Sequence, residues 1–126
     1  MAYLLDISAI MALLWKTHEH HERVRQWQLG LDLAICPLSE LGYLRISTQP
    51  VFGLSVAEAW KVLKAWKGHR RPAFLPCDIS SLETDPPTAG SRTTDFYLAG
   101  LAARHGMRLA TLDGSIRHEA AFIIPA

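Results

Sequence analysis

A large excess of charge of either sign is missing from this sequence. The chain has 13 basic and 12 acidic residues among 126, which gives a formal net charge of +1. Proteins that coat nucleic acid through the field of their whole surface are strongly basic, so this class is disfavoured. Any contact with nucleic acid has to come from a local basic patch. Apolar residues make up 49% of the chain and charged residues 20%, a balance that argues against disorder.

The sequence also has little cysteine and no apolar run long enough to cross a membrane. Cys36 and Cys77 lack CxxC spacing and form no disulfide framework, so we expect two buried, reduced thiols. The apolar stretch 1–15 lacks a basic region in front of it and contains Asp6. It is also too short for a transmembrane helix. We therefore expect a soluble cytoplasmic protein in which this stretch is buried core.

Short apolar runs alternate with helical patterns along the chain. The sequence predicts strands at 2–6, 33–36, 73–78, 108–112 and 122–124. It predicts helices from about Ser8, within 18–30, at 37–48, from Ser55 to about Lys67, and at about 93–105. Residues 79–92, rich in Ser, Thr, Pro and Gly, predict a loop. Alternation of this kind favours a single α/β domain over residues 1–126, with a central, mainly parallel sheet covered by helices on both faces.

Four acidic residues stand where this fold would place a binding site. Asp6 ends the first strand, Asp113 ends a later strand, and Glu40 and Asp95 lie in the first turns of predicted helices. Ligands of open parallel sheets bind at the carboxyl ends of the strands, beside helix N-termini. We therefore expect all four carboxylates to reach one edge of the sheet.

Each acid taken alone also has an ordinary structural explanation, as a helix cap, a turn residue or a solvated charge. Taken together, clustered carboxylates repel one another unless a cation neutralises them. Oxygen ligands without His or Cys favour Mg²⁺ or Mn²⁺ over Zn²⁺. Because Mg²⁺ pairs naturally with phosphate oxygens, the pattern points to metal-dependent phosphodiester chemistry.

Four segments carry a family resemblance: LLDISAIMALLW, CPLSELGYLR, TTDFYLAGLAARHG and RLATLDGSI. In this order they resemble the PIN-domain family, and in particular the VapC-type ribonuclease toxins of type II toxin–antitoxin systems. The resemblance implies a PIN-like α/β/α sandwich and an endoribonuclease that cleaves structured RNA such as tRNA or rRNA with Mg²⁺ or Mn²⁺. It also implies a cognate VapB-like antitoxin as inhibitor, a homodimer, and a heterotetramer or larger assembly with the antitoxin.

The resemblance assigns roles to residues by motif. It makes the four acids both the catalytic residues and the metal ligands, namely Asp6, Glu40, Asp95 and Asp113. Ser8 matches a small polar position at which many relatives carry Asn. Thr94 and Thr111 match hydroxyls that stand beside the third and fourth acids, and we expect them to support the ligands without binding the metal.

The stretch WKVLKAWKGHRR, residues 60–71, contains five Lys or Arg residues and no acid. One interpretation is a solvated helix face with Trp60 in the core. The other is an RNA-binding face on which a tryptophan stacks on an unpaired base. The candidates for phosphate contact are Lys61, Lys64, Lys67, Arg70, Arg71 and, after Glu40, Arg45.

Two other kinds of site are poorly supported. The cluster that contains His18, His20 and His21 could offer a two-point chelate on a helix surface, formed by His18 with His21 or with Glu22. No second ligand pair accompanies it, which favours a solvated face. The sequence has no GxSxG, and neither cysteine stands in a known nucleophile motif.

The sequence leaves three alternatives open. A PIN nuclease of RNA processing would act without an antitoxin, and a PIN fold without activity would serve only for binding, although all four acids are present. A receiver-type signalling domain also has an acidic Mg²⁺ pocket. It needs a late lysine to hold phosphate, however, and the last lysine here is Lys67.

Overall fold

A five-stranded sheet forms the centre of the molecule, for which a computed structural model describes residues 2–126. The strands lie in the order β3-β2-β1-β4-β5, and every neighbouring pair is parallel. They are β1 (Ala2–Leu5), β2 (Asp32–Ile35), β3 (Ala73–Phe74), β4 (Arg108–Thr111) and β5 (Ala121–Ile123). The predicted α/β architecture with a parallel sheet is thereby confirmed.

Five helices connect and cover these strands. They are α1 (Ile7–Leu14), α2 (His21–Trp27), α3 (Pro37–Ser47), α4 (Val56–Arg70) and α5 (Thr93–Arg104). Two short 3₁₀ turns, Ser81–Glu83 and Gly90–Arg92, lie within the predicted loop before α5.

The sheet separates two hydrophobic cores because successive residues of a strand point to opposite faces. Leu5 packs with residues of α1 to α4 in one core, whereas its neighbour Leu4 packs with α5 in the other. Both leucines are fully buried. Helices therefore cover both faces, which explains why the central strands carry apolar residues at consecutive buried positions, such as Leu4 and Leu5, and do not alternate with polar residues there.

Local sequence signals define the helix ends near the sheet. Asp6 caps α1 by accepting a hydrogen bond from the amide of Ala9, and Pro37 occupies the first position of α3. Ser55 and Glu58 form the predicted capping box of α4.

The register of the sheet aligns the ends of its two central strands. Leu5 of β1 lies opposite Ala110 of β4, and the amide of Asp6 donates to the Ala110 carbonyl over 3.1 Å. Parallel pairing thus brings the residues after β1 and after β4 to the same edge, where α5 also begins.

Some boundaries differ from those predicted. The second helix begins at His21 and not near residue 18, because His18 and His20 lie in the preceding turn. The strand expected at 73–78 ends at Phe74, ahead of Pro76, which has no N–H to extend the pairing. Cys36 is buried as expected, but the expectation was wrong for Cys77, which follows the shortened strand and is exposed.

No helix between residues 2 and 126 combines the length and hydrophobicity that a membrane span requires.

Candidate active site

Asp6 is the most deeply placed of the four acids. It follows β1 directly, and only 4% of its surface is exposed. Its Oδ1 accepts hydrogen bonds from the Ser8 hydroxyl over 2.6 Å and from the Ala9 amide over 2.8 Å. One carboxylate oxygen therefore begins α1 and, at the same time, orients the side chain at the sheet edge.

Ser8 and Thr111 connect this acid to the end of β4. The Ser8 hydroxyl also accepts a hydrogen bond from the Leu112 amide over 3.1 Å and lies 3.5 Å from the Thr111 hydroxyl. Thr111 is fully buried, and its hydroxyl accepts from the Asp113 amide over 3.0 Å. The two hydroxyls thus connect the first and fourth acids through hydrogen bonds.

Burial raises the pKa of Asp6 above its usual value of 3.8. Hydrogen bonds from Ser8, Thr111 and Ala9 oppose this rise in pKa, and the nearby charge of Asp95 adds to it. The surroundings of Asp6 therefore disfavour its negative charge, which a cation at the site would stabilise.

Arg92 joins the third and fourth acids. Its Nη1 donates to Oδ2 of Asp113 over 2.6 Å and to Oδ2 of Asp95 over 3.3 Å, while Nη2 donates to the Ser115 hydroxyl. Asp95 lies in the first turn of α5, and Asp113 follows β4. A single guanidinium therefore connects the start of α5 to the turn after β4.

Asp113 is held by contacts on both of its oxygens. The amide and the hydroxyl of Ser115 donate to Oδ1 over 2.9 and 2.5 Å, and Arg92 holds Oδ2. The hydrogen bonds from Ser115 and the charge-assisted one from Arg92 lower the pKa of Asp113 to about 2. This carboxylate is consequently ionised at neutral pH.

Glu40 lies on the α3 side of the site and forms an ion pair with Lys67 of α4. The preceding residue, Ser39, anchors the start of α3 to β1, because its hydroxyl donates to the Leu5 carbonyl over 3.0 Å. The Lys67 ammonium also lies 5.1 Å from the centre of the Phe74 ring. Lys67, one of the candidates for RNA contact, therefore already has an acidic partner.

The structure thus links Asp6, Asp95 and Asp113 through shared neighbours and holds Glu40 separately through a lysine. Between residues 2 and 126, no group of three or more His, Cys, Asp or Glu side chains is arranged to hold a metal ion. The donor set still fits Mg²⁺ or Mn²⁺ chemically, since it consists of carboxylate oxygens. It also includes a buried acid whose described contacts come only from neutral donors.

The remaining basic candidates fall into two groups. Lys61, Lys64 and Arg71 are exposed, as phosphate-binding side chains need to be. Arg70 instead donates to the carbonyls of Gln28 and Leu31 and, over 2.8 Å, to the side chain of Gln28. The structure therefore gives Arg70 a role in packing α4 against the end of α2.

Arg45 and Thr94 lie together beside a shallow cavity of about 300 Å³ between α3 and the start of α5. Both residues are exposed. Among the described residues, Thr94 makes no side-chain hydrogen bond with the acids. Unlike Ser8 and Thr111, it is not part of their hydrogen-bond network.

Trp60 is 53% exposed, so the interpretation that placed this side chain in the core was wrong. It lines an apolar groove between α3 and α4 with a volume of about 540 Å³. Glu40, Lys64 and Lys67 also line the groove. The groove therefore leads from one of the predicted catalytic acids to an exposed indole and two lysines.

The histidine cluster is a local arrangement in the turn before α2. His18 accepts from the His20 amide over 3.0 Å, and the ring nitrogen Nδ1 of His21 lies 2.8 Å from the Ala12 carbonyl oxygen. Burial, with a smaller effect of His20, lowers the pKa of His18. His18 precedes the helix, so the helical spacing on which a chelate with His21 depended is absent.

Sequence reasoning missed Arg92, which was assigned only to a loop. Its signal was the i,i+3 spacing to Asp95, at which oppositely charged residues meet once a helical turn forms. Its contact with Asp113, 21 residues away, carries no such local signal.

Comparison of the whole sequence with individual known proteins finds several relatives, although no family model matches the chain. It is 41% identical over 124 residues to Ribonuclease VapC38 of Mycobacterium tuberculosis strain H37Rv, covering 90% of this chain and 86% of that protein. It is 35% identical to Ribonuclease VapC44 of strain CDC 1551, over 92% and 89% of the two chains. Ribonuclease VapC29 of the same strain is 33% identical over 99% and 98%.

The similarity extends over most of each chain. The parallel sheet between two layers of helices is also the fold expected from the family resemblance. The chain belongs to the VapC-type family of PIN-domain ribonuclease toxins.

Proposed function

We propose that this protein is an Mg²⁺- or Mn²⁺-dependent endoribonuclease that acts as a cytoplasmic toxin. The observation that carries the proposal is a network of shared hydrogen-bond partners that connects three acids from separate segments at one sheet edge: Asp6 after β1, Asp95 at the start of α5 and Asp113 after β4. Similarity to proteins named as ribonucleases supports RNA as the substrate.

The residues that would hold the divalent cation are Asp6, Asp95 and Asp113, together with Glu40 once it leaves its ion pair with Lys67. When bound, such an ion lowers the pKa of a water molecule and neutralises charge on the phosphodiester. Asp6 is oriented by Ser8 and by the first turn of α1, so its carboxylate keeps a fixed direction. Clustered carboxylates also provide bases close to the scissile bond, to which the attacking water can lose its proton.

Basic side chains around the acids suit the phosphates on either side of the cleavage point. Lys64 lines the groove that contains Glu40, and Arg45 is exposed on α3. Each contact with a phosphate releases a counterion, so the affinity for RNA should fall with rising salt. A structured RNA with an unpaired loop, such as a tRNA or rRNA, matches this small active edge, because unpaired bases can be splayed out.

A VapB-like antitoxin is the proposed inhibitor. The apolar groove between α3 and α4, with exposed Leu41 and Trp60, offers a surface of the kind that protein partners cover. We also propose a homodimer, and a heterotetramer or larger assembly with the antitoxin, from the membership of the VapC family.

The direct test is cleavage of a 5′-labelled structured RNA by the purified chain with Mg²⁺, with Mn²⁺ and with EDTA. Asp95→Asn should lower the cleavage rate by on the order of 100-fold or more, because loss of a ligand costs at least as much as loss of an outer-shell partner. Asp32→Asn is the matched control, since Asp32 is exposed at the opposite end of β2.

The proposal requires products with 5′-phosphate and 3′-hydroxyl ends, which hydrolysis by an activated water leaves. Cleavage that persists in EDTA, or that Asp95→Asn and Asp32→Asn lower equally, would refute the proposed site.

A PIN nuclease that acts in RNA processing without an antitoxin is the second candidate. A small antitoxin-like reading frame beside the gene, whose product binds this chain and stops cleavage in the labelled-RNA assay, would favour the toxin. Growth arrest on expression of the chain, relieved by that product, is the matching result in cells.

A further inference from the structure

The guanidinium of Arg92 lies where the negative charges of two of the proposed metal ligands meet. Its Nη1 contacts Oδ2 of Asp113 at 2.6 Å and Oδ2 of Asp95 at 3.3 Å. Planar guanidinium groups suit carboxylate oxygens geometrically and hold more than one at a time. A protein side chain therefore already places one positive charge between two carboxylates at the site and offsets about half of their charge.

Asp113 has no oxygen free of these protein contacts. The Ser115 amide and hydroxyl donate to Oδ1, and Arg92 donates to Oδ2. The two donors of Ser115 occupy both lone pairs of Oδ1, whereas Arg92 occupies only one of the two on Oδ2. An ion that binds Oδ2 therefore meets the positive charge of Arg92 on the same oxygen, and this repulsion favours displacement of the guanidinium. Arg92 is the easier to displace, because its side chain is 33% exposed and ends a long flexible stem, whereas the Ser115 amide belongs to the turn itself.

The contact between Glu40 and Lys67 differs in one respect. Lys67 presents a single ammonium to a single acid, whereas Arg92 connects two acids and Ser115 across two segments. Loss of the lysine would leave one carboxylate unpaired, but loss of Arg92 leaves two neighbouring carboxylates that repel each other.

We propose that Arg92 is an internal counterion that competes with the divalent cation for Asp95 and Asp113. It offsets part of the charge of the two acids and holds the start of α5 while no ion is bound, and the ion displaces it. The inference rests on the proposed function in one respect, namely that these acids bind a divalent cation.

The test measures binding of Mn²⁺ alone to the full chain by titration calorimetry, without RNA. Arg92→Gln should bind Mn²⁺ about tenfold more tightly than the wild type, within the usual range for two coupled binding events. Arg117→Gln is the matched control: Arg117 is exposed four residues after Asp113, and its loss removes the same charge without touching an acid. Its affinity for Mn²⁺ should stay within about twofold of the wild type, because screened surface charges interact weakly.

Thermal unfolding with and without Mn²⁺ gives a second measurement. A purely structural role of Arg92 would lower the Tm equally in both conditions. Without Mn²⁺, Arg92→Gln should melt below the wild type, because two acids are left unpaired. Saturating Mn²⁺ should raise its Tm by more than it raises that of the wild type, which closes the gap. Arg92→Lys keeps the charge but not the fork, and it should bind Mn²⁺ more tightly than the wild type and less tightly than Arg92→Gln.

Mn²⁺ affinity of Arg92→Gln or of Arg92→Lys that equals or falls below that of the wild type would overturn the inference. Wild-type binding and RNA cleavage would then remain, and the proposed function with them. If neither the wild type nor any variant binds Mn²⁺, the metal dependence of the proposed function fails, and the competition fails with it.

Discussion

Replacing Asp6 by asparagine separates the chemistry of this residue from its structural role. The asparagine oxygen can still accept from the Ser8 hydroxyl and the Ala9 amide, which now hold Oδ1 of Asp6. Asn and Asp are about equally good helix N-caps, so α1 keeps its first turn. The substitution removes a negative charge from a side chain that is only 4% exposed. We therefore expect Asp6→Asn to raise the free energy of unfolding at pH 7 by about 0.5 to 2 kcal/mol, as active-site replacements often do.

The same variant should lose RNA cleavage by on the order of 100-fold or more, since an amide is a poor ligand for the divalent cation and carries no charge. Asp6→Ala provides the contrast. It loses cleavage equally but also loses the cap, which costs about 1 kcal/mol of stability. Urea unfolding followed by circular dichroism, together with the labelled-RNA assay, measures both quantities on the same preparations.

The pH dependence of the stability difference follows from the direction of the Asp6 pKa. Burial raises the pKa in the folded state above 3.8, so the folded protein holds this proton more tightly than the unfolded chain. The stabilising effect is complete below about pH 4 and is lost as the pH rises through the folded-state pKa. Asparagine carries no such proton, and the advantage of Asp6→Asn should therefore widen from pH 4 towards pH 7. An Asp6→Asn protein that is less stable than the wild type by more than 1 kcal/mol, or that still cleaves RNA, would refute this reasoning.

Three further outcomes follow from the contacts of the site. Ser8→Ala should lower the free energy of unfolding by about 2 kcal/mol in urea titrations, because it removes two hydrogen bonds, one of them to a carboxylate. Gly42→Ala should lose about 1 kcal/mol, since the new Cβ would lie 2.3 Å from Cδ1 of Ile7, whereas Gly68→Ala, with open space around it, should gain about 0.5 to 1 kcal/mol. The pKa of Asp113 is lowered to about 2, so its stabilising effect is present above pH 3.8 and is lost as the pH falls towards 2. Between about pH 4 and pH 2 the free energy of unfolding should therefore fall less for Asp113→Asn than for the wild type. The difference should be less than about 1 kcal/mol, because the side chain is partly solvated.

Much of the fold follows from patterns that act over a few residues. Leu4 and Leu5 lie in an apolar run that ends in an acid, and alternation of such runs with helical periods specifies parallel strands under helices. The capping box of Ser55 and Glu58 could also be predicted, because its two partners are only three residues apart. The predicted boundary was wrong where a strand meets proline, because β3 ends at Phe74 ahead of Pro76.

The positions of Asp6 and Asp113 could also be predicted from the sequence, because residues that follow parallel strands lie at the same edge of the sheet. Asp6 and Asp113 meet there because β1 and β4 are neighbours in register. The basic residues that pair with the acids could not be predicted from the sequence in this way. Arg92 reaches Asp113 and Lys67 reaches Glu40 across 21 and 27 residues, and pairing at such separations depends on how elements dock.

The solvent exposure of individual side chains on α4 also depended on the tertiary structure. Trp60 has the helical spacing of a core residue, yet 53% of its surface is open, because α4 turns Ala59 and Leu63 inward instead. Arg70 belongs to a basic run but is used to hold α2. The sequence by itself determined the parallel sheet and the shared edge of Asp6 and Asp113, because both depend on local periodicity and on strand direction. Packing between elements distant in the chain decided which cation pairs with Glu40 and with Asp113, and which aromatic side chain faces solvent.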